Sequence, residues 1–258
     1  MHRNPLEFRA LEGLPEIEPG DDLAAHVRRG LQGAALELEA GDVLVVAQKA
    51  VSKAEGRFVD LATVVPSGRA IELAAVVRKD PRFVELVLAE SSTVVRAVPN
   101  ILVTRHRCGF VMANAGIDRS NVPAGARDGG EWVLLLPIDA DQSARRLSEA
   151  LGPPGAGWPA VIISDSFGRP WRRGVVNVAL GVSGLPALVD LRGTVDREGR
   201  VMQSTEVALA DAVAAGAGIA MGEAAEGTPV VHVRGVRWRD PGQDGQALVR
   251  PFDEDLFR

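Results

Sequence analysis

GDVLVVAQKAVSKAEGR, residues 41–57, begins with a turn pair, Gly41-Asp42, and runs straight into five apolar residues, Val43 to Ala47. A short β-branched apolar run bounded by turn residues reads as a buried strand. The residues directly behind that strand decide the fold class. A nucleotide-binding βαβ unit places G-x-G-x-x-G or G-x-x-x-x-G-K-[ST] there, where glycine lets backbone N–H groups approach phosphate. AQKAVSKAEGR contains neither motif and reads as polar and turn-like. It does hold Lys49 and Lys53, two of the three lysines in a chain with 26 arginines.

Outward from this stretch the pattern alternates irregularly. Asp21-Asp22 can cap a helix through LAAHVRRGLQ, where Leu23, Val27 and Leu31 recur at helical spacing. Asp80-Pro81 opens a second helix carrying Phe83, Leu86, Val87 and Leu88. ILVT and EWVLLLP read as strands, and GFVMANAGIDRSNVPAGARDGG between them as a long loop of the kind that usually carries function. SARRLSEAL (143–151) is helical, and GPPGAGWP marks a break where a subdomain boundary is expected, near 152–159. AVIIS (160–164) is a second buried strand leading into a polar loop, DSFGRPWRRG. VVNVALGV, PALVDLRG, an alanine-rich helix from about Thr205 to Ala220 and a strand, PVVHVRG, complete the chain's pattern. Strands outnumber long helices and their order is mixed, so α+β with mixed sheets and packed helices is expected, not a regular βαβ array. GAGIAMG (216–222) has Met221 at the third glycine position and lies at the end of a helical pattern, so it is no Rossmann fingerprint.

Composition narrows the function. With 258 residues and a net charge of −5, the chain can bury a sizeable core but has no clustered basic face for nucleic acid. Any anionic ligand must be held by a few placed cations, metals or backbone N–H groups. The single Cys108 rules out an internal disulfide, no apolar run reaches the length of a membrane span, and the first twenty residues lack a signal-peptide core. A cytoplasmic location without membrane partners is expected. His2, His26, His106 and His232 have no metal-ligand spacing, which argues against zinc, and G-x-S-x-G is absent.

Chemistry concentrates in two polar turns. Asp118 lies in NAGIDRSN, with Asn121 three residues on; Asp165 comes directly after AVIIS and precedes Ser166. Carboxylates and hydroxyls at strand ends suit hard cations such as Mg²⁺ or Mn²⁺. The plainer reading is that each aspartate satisfies the N–H groups of its own turn. DSFGRPWRRG likewise offers Arg169, Arg172 and Arg173 as an anion fork, or a solvated loop with Trp171 as packing anchor.

GLPEI, GDVLVVAQKAVSKAEGR, DPRFVELVLAES, GFVMANAGIDRSNV, ISDSFGRPWRRG and MGEAAEGTPVVHVRG occur in this order. Together they closely resemble the coenzyme F420-0:γ-glutamyl ligase family, over nearly the whole chain. The resemblance implies a GTP-dependent ligase that adds L-glutamate to coenzyme F420-0. It further implies two divalent ions, Mn²⁺ or Mg²⁺, with help from K⁺. An α+β fold of two intertwined subdomains without a P-loop, assembled as a homodimer, is part of the same expectation. Some relatives carry a C-terminal nitroreductase-like domain; this chain, one ligase-type domain over 1–258, is expected to be the stand-alone form.

Carried over by position, Leu14, Pro15, Glu16 and Ile17 match a GTP-contacting stretch, and Gln48 and Lys53 a nucleotide contact after the first strand. Asp118 and Asp165 match one metal site, Asn121 a GTP contact, and Ser166 and Glu223 a second metal site. Met221, Gly222, Glu223, Ala224, Ala225, Glu226, Gly227 and Thr228 match the last GTP stretch. The catalytic set is then Asp118, Asp165 and Lys53, the lysine serving phosphates as a point charge. Lys49 receives no role. The implied chemistry is phosphorylation of the acceptor carboxylate, then attack by the glutamate amine. Another nucleotide-dependent carboxylate–amine ligase on the same scaffold, or a non-catalytic nucleotide- or metal-binding protein, are the alternatives.

Overall fold

Val43–Ala47 is strand β2, and it pairs in parallel with β8 (Ala160–Arg169), Val43 opposite Ala160 and Ala47 opposite Ser164. These two strands lie inside a five-stranded sheet ordered β1 (Glu7–Ala10), β12 (Val230–Arg234), β2, β8, β9 (Arg172–Ser183), in which every other pairing is antiparallel. The computed structural model describes residues 5–120, 130–153, 155 and 158–255.

Both faces of this sheet are covered. Leu44, Val46, Val161 and Ile163 pack with Leu23, Val27 and Leu31 of α1 (Leu23–Gly33) and with Ala144 and Leu147 of α5 (Ala140–Leu151). Val43, Val45, Ala160 and Ile162 point the other way, onto Ala210, Val213, Ala214 and Ala217 of α6 (Leu209–Met221). Burial on both faces removes any reason for polar alternation, which is why VLVVA and AVIIS are continuously apolar.

Residues 58–117 and 132–135 build a second core. Here α3 (Gly68–Val77), capped by Ser67, and α4 (Pro81–Ala89), capped by Asp80 with proline at its first position, pack on an antiparallel sheet. That sheet comprises β4 (Ser91–Val98), β5 (Ile101–His106) and β6 (Val111–Ala113), and a short pair is formed by β3 (Phe58–Asp60) and β7 (Trp132–Leu134). Leu61, Ala70, Val77, Phe83, Val87, Leu102 and Val133 fill the space between them. A further pair, β10 (Leu188–Asp190) and β11 (Glu206–Ala208), precedes α6. The architecture is α+β with mixed sheets, and among the described residues no helix is long and apolar enough to cross a membrane.

Three local expectations are corrected. AQKAVSKAEGR is not turn-like: Gln48–Ala54 form helix α2, begun at Ala47 without any side-chain cap, so the sequence carried no start signal. DSFGRPWRRG is not a loop, because β8 runs to Arg169 and β9 starts at Arg172, leaving Pro170-Trp171 as a hairpin tip. Trp171 there has φ 61° and is 90% exposed, so it is no packing anchor among the described residues. The alanine-rich helix starts at Leu209, the residues before it being strand β11.

The end of β2 remote from its helix is pinned by a buried charge. Asp42 accepts Arg234 Nε at 2.8 Å and Nη2 at 2.7 Å, lies 2.9 Å from His232 Nε2, and accepts the Glu39 N–H at 2.8 Å. Its carbonyl takes the Ala160 N–H, so β12, β2 and β8 are tied at one point. Burial alone would raise the Asp42 pKa, but the bonds from Arg234 and His232 outweigh it and hold the carboxyl below its ordinary range. A depressed folded pKa contributes stability above the unfolded pKa that is lost as pH falls through the folded one. Asp42→Asn should therefore cost roughly 3 kcal/mol near neutral pH. The gap from wild type should begin to narrow below about pH 4, where the carboxyl of the unfolded chain protonates, and close as the native carboxyl protonates at still lower pH. Urea denaturation at stepped pH measures this; a pH-independent gap would mean that the charge is not what Asp42 contributes.

Candidate active site

Parallel pairing puts the carboxyl end of β2 beside Ser164, where the parallel run of β8 finishes and the strand goes on paired to β9 alone, and ligand crevices in sheets containing parallel strands form outside such ends. A cavity of about 430 Å³ opens there. It is lined by Leu14, Pro15, Glu16 and Ile17 before α1, by Gln48, Lys49 and Lys53 of α2, and by Ser164, Asp165 and Ser166 of β8. The stretch Met221, Gly222, Glu223, Ala224, Ala225, Glu226, Gly227 and Thr228, between α6 and β12, closes it. Asn121 lies outside the described residues. Arg169, Arg172 and Arg173 ride the β8–β9 hairpin away and line none of it.

Each side chain is held by local structure. Gln48 is buried at the start of α2 and accepts the Ser52 hydroxyl one turn later, at 2.9 Å. Lys53, in the last turn of α2, is buried along its stem and pairs with Glu16 across the cavity wall. On β8 the register against β9 steps from Ile163–Gly181 to Ser164–Ala179, leaving Leu180 as a bulged residue. Bulges beside a site re-aim the facing side chains, and this one falls directly before Asp165.

Asp118 arrives from the second core. Its N–H and C=O exchange hydrogen bonds of 2.9 Å with Leu134, which fixes the backbone. Its Oδ2 lies 2.5 Å from Lys49 Nζ, and its Oδ1 accepts the Ser120 N–H at 2.6 Å. Burial pushes the Asp118 pKa up, but the bonds from Lys49 and Ser120 outweigh it and hold the carboxyl low. Asp165 has the opposite balance. Desolvation raises its pKa to about 7; the Ser166 N–H works against this, the charges of Asp118 and Glu223 add to it, and Lys49 eases it.

Glu223 is oriented through a residue that the sequence reading did not single out. Asn177, buried on β9 opposite Ser166, donates from Nδ2 to Glu223 Oε1 at 2.9 Å. A lone amide within the apolar VVNVALGV was the available signal. Asn177 has room because Gly218 of α6 faces it: a Cβ there would collide with the carboxamide, just as one at Gly216 would strike the Phe8 ring. The glycines of GAGIAMG therefore serve close helix–sheet packing. Gly222, at φ 76°, then breaks the helix and turns the chain into the cavity rim.

The donor set consists of oxygens: carboxylates from Asp118, Asp165 and Glu223 and the Ser166 hydroxyl, the chemistry that hard divalent cations accept. A cation fits this centre for a structural reason. Asp165 is destabilised as an anion by its surroundings, and the buried Ser164 hydroxyl beside it has no hydrogen-bond partner among the described residues. Among those residues no trio of Asp, Glu, His or Cys groups already converges on one point.

An α+β chain with a recessed centre of carboxylates and lysines at paired strand ends has the form of an enzyme. The profile of the F420-0:Gamma-glutamyl ligase family matches residues 13–235. A protein of Methanothermobacter thermautotrophicus named coenzyme F420:L-glutamate ligase is 42% identical over 98% of this chain and 99% of its own length. Ligases of the same name from Methanopyrus kandleri (44% identical, 94% of each chain) and Methanocaldococcus jannaschii (42%, 86% of each) are also similar. The chain belongs to the F420-0:gamma-glutamyl ligase family, and it is an enzyme, a ligase.

Gly218→Ala tests the packing that orients Glu223. The added methyl should cost about 1–3 kcal/mol through overpacking and displace Asn177 from Glu223. Turnover should fall more than the loss of folded protein explains, as separated by parallel melting curves and rate measurements. Unchanged turnover would show that the Asn177–Glu223 bond has no part in the site.

Proposed function

We propose that this ligase uses GTP to join L-glutamate to coenzyme F420-0, first by an amide and then by γ-glutamyl linkage. The observation that carries the reading is the meeting of Lys53, Lys49, Asp165, Ser166 and Glu223 in one cavity, with Asp118 reaching it through Lys49. The names of the relatives supply the substrates: each is called a coenzyme F420:L-glutamate ligase.

A carboxylate does not react with an amine at neutral pH, because its oxygen is a poor leaving group. In the proposed reaction the acceptor carboxylate oxygen attacks the γ-phosphorus of GTP, the bond to the β-phosphate oxygen breaks, and GDP leaves with an acyl phosphate formed. The α-amine of glutamate, as free base, then attacks the acyl carbon. The amide forms, inorganic phosphate departs and the nitrogen gives up one proton. Phosphoryl transfer asks the protein chiefly for positioning and charge neutralisation. Lys53, on the cavity wall, would meet phosphate oxygens as a compact ammonium, a role that the planar fork of arginine would fill differently. The stretches 14–17 and 221–228 both line the cavity and would hold the nucleotide.

Asp118, Asp165, Ser166 and Glu223 would hold two divalent ions, Mn²⁺ or Mg²⁺, with K⁺ as a further helper. When bound, these ions neutralise phosphate charge. Assembly as a homodimer belongs to the same proposal, and the exposed Trp171 is an apolar group that a second copy would cover.

Incubation with F420-0, L-glutamate, GTP and Mn²⁺ should give products heavier by one or more glutamyl units, with GDP in matching amount by mass spectrometry. Asp118→Asn should lower the rate by at least about 100-fold with its circular dichroism unchanged. An unaltered precursor in the presence of bound GTP would reassign the acceptor, and wild-type turnover by the variant would remove Asp118 from the chemistry.

A further inference from the structure

Lys49 takes no chemical step in the reading above, yet it is in direct contact with the carboxylate centre. Its Nζ lies 2.5 Å from Asp118 Oδ2 and donates to Ser120 Oγ at 2.9 Å, and its charge also reaches Asp165. The other cavity lysine, Lys53, is engaged with Glu16. The two oxygens of Asp118 are thus used differently. Oδ1 is bound by a backbone N–H that belongs to its own turn, whereas Oδ2 is bound by an ammonium on a flexible stem from another helix. A divalent ion on Asp118 would take a ligand oxygen at about 2.0–2.6 Å. It would then meet Nζ almost in contact, and like charges at that range repel strongly in a recessed site.

We propose that Lys49 is the resident counter-cation of this centre: it neutralises Asp118 while no divalent ion is bound and yields Oδ2 when one arrives. This rests on the cation reading of the site proposed above. The ammonium is suited to the exchange. It makes point contacts, its stem can rotate away without breaking a bidentate fork, and Lys49 already lines the cavity into which it would swing. Once released, its charge faces the space where an anionic ligand would lie, so cation loading and anion attraction are coupled through one side chain. Lys49 is in this account a positioning residue, and its first effect is on cation affinity.

Mn²⁺ titration of the full chain without nucleotide, monitored through the free-ion electron paramagnetic resonance signal, separates this inference from the reading beneath it. Wild type should bind, and Asp118→Asn should bind at least about tenfold more weakly; a wild type that does not bind, or an Asp118→Asn equal to it, overturns the cation reading and the inference with it. Lys49→Met should bind roughly tenfold more tightly than wild type, because the competing charge is gone, while Lys49→Arg should stay near wild type. Equal or weaker binding by Lys49→Met, or equal tightening by both variants, overturns the counter-cation role alone. A second check reads wild type itself, with the conservative Lys49→Arg used only to assign the signal. With three lysines in the chain, lysine labelled with ¹³C at Cε gives a resolvable spectrum. Saturation with Mg²⁺ should move the resonance missing in Lys49→Arg and leave that of Lys79 in place. A stationary Lys49 signal would overturn the proposal.

Discussion

The parallel pairing of β2 and β8, buried on both faces, is the constraint on which the rest depends. Because side chains alternate between faces, a slip of one residue would turn every apolar group of one strand toward the wrong layer. The register is therefore fixed by α1 and α5 on one side and α6 on the other. With Ala47 held opposite Ser164, Gln48 and Asp165 come next at the same end of the sheet. Two points of chain that lie more than a hundred residues apart thereby become the two walls of one cavity. Asp42 and Arg234 secure the other end, where no chemistry is needed and a rigid ion network can be afforded.

At the cavity end the physics runs the other way. Three carboxylates are brought within electrostatic reach of one another in a partly dehydrated space, an arrangement that disfavours folding unless positive charge is near. The chain supplies little of it. Lys49 compensates Asp118, and Asp165 receives a backbone N–H from Ser166. The Ser164 hydroxyl beside it, unpartnered among the described residues, shows that the centre is incompletely satisfied by these protein atoms alone.

Much of this was legible in the sequence, for identifiable reasons. VLVVA and AVIIS announced central strands because burial on both faces writes an unbroken apolar run. Asp22 and Asp80 announced helix starts because their side chains cap. Helix α2 escaped because Ala47 cannot cap and seven residues are too few to show a period. The β8–β9 hairpin escaped because its outer half is paired through the backbone and wears polar side chains. Asp118 and Asp165 could be picked out as carboxylates behind turns and strands, whereas Glu223 came only through family resemblance. Gly218 and Lys49 matter through partners distant in sequence, and such partnerships leave no local mark, while Asn177 shows only as a lone amide in an apolar run.

Asp118 is the one carboxylate of the centre that does not come from the five-stranded sheet or its connections. It is delivered from the other core by a two-bond bridge to Leu134, whose neighbour Leu135 donates its N–H to the carbonyl of Arg57, just beyond α2. The spacing between Asp118 and Asp165 is thus a dimension of the joint between two separately packed layers. Substitutions deep in the second core, at Leu61 or Val133 for instance, can retune that spacing while leaving every polar residue of the cavity in place. The identity of the site is written in a few letters; its calibration is distributed over an apolar interior that two relatives with the same motif need not share.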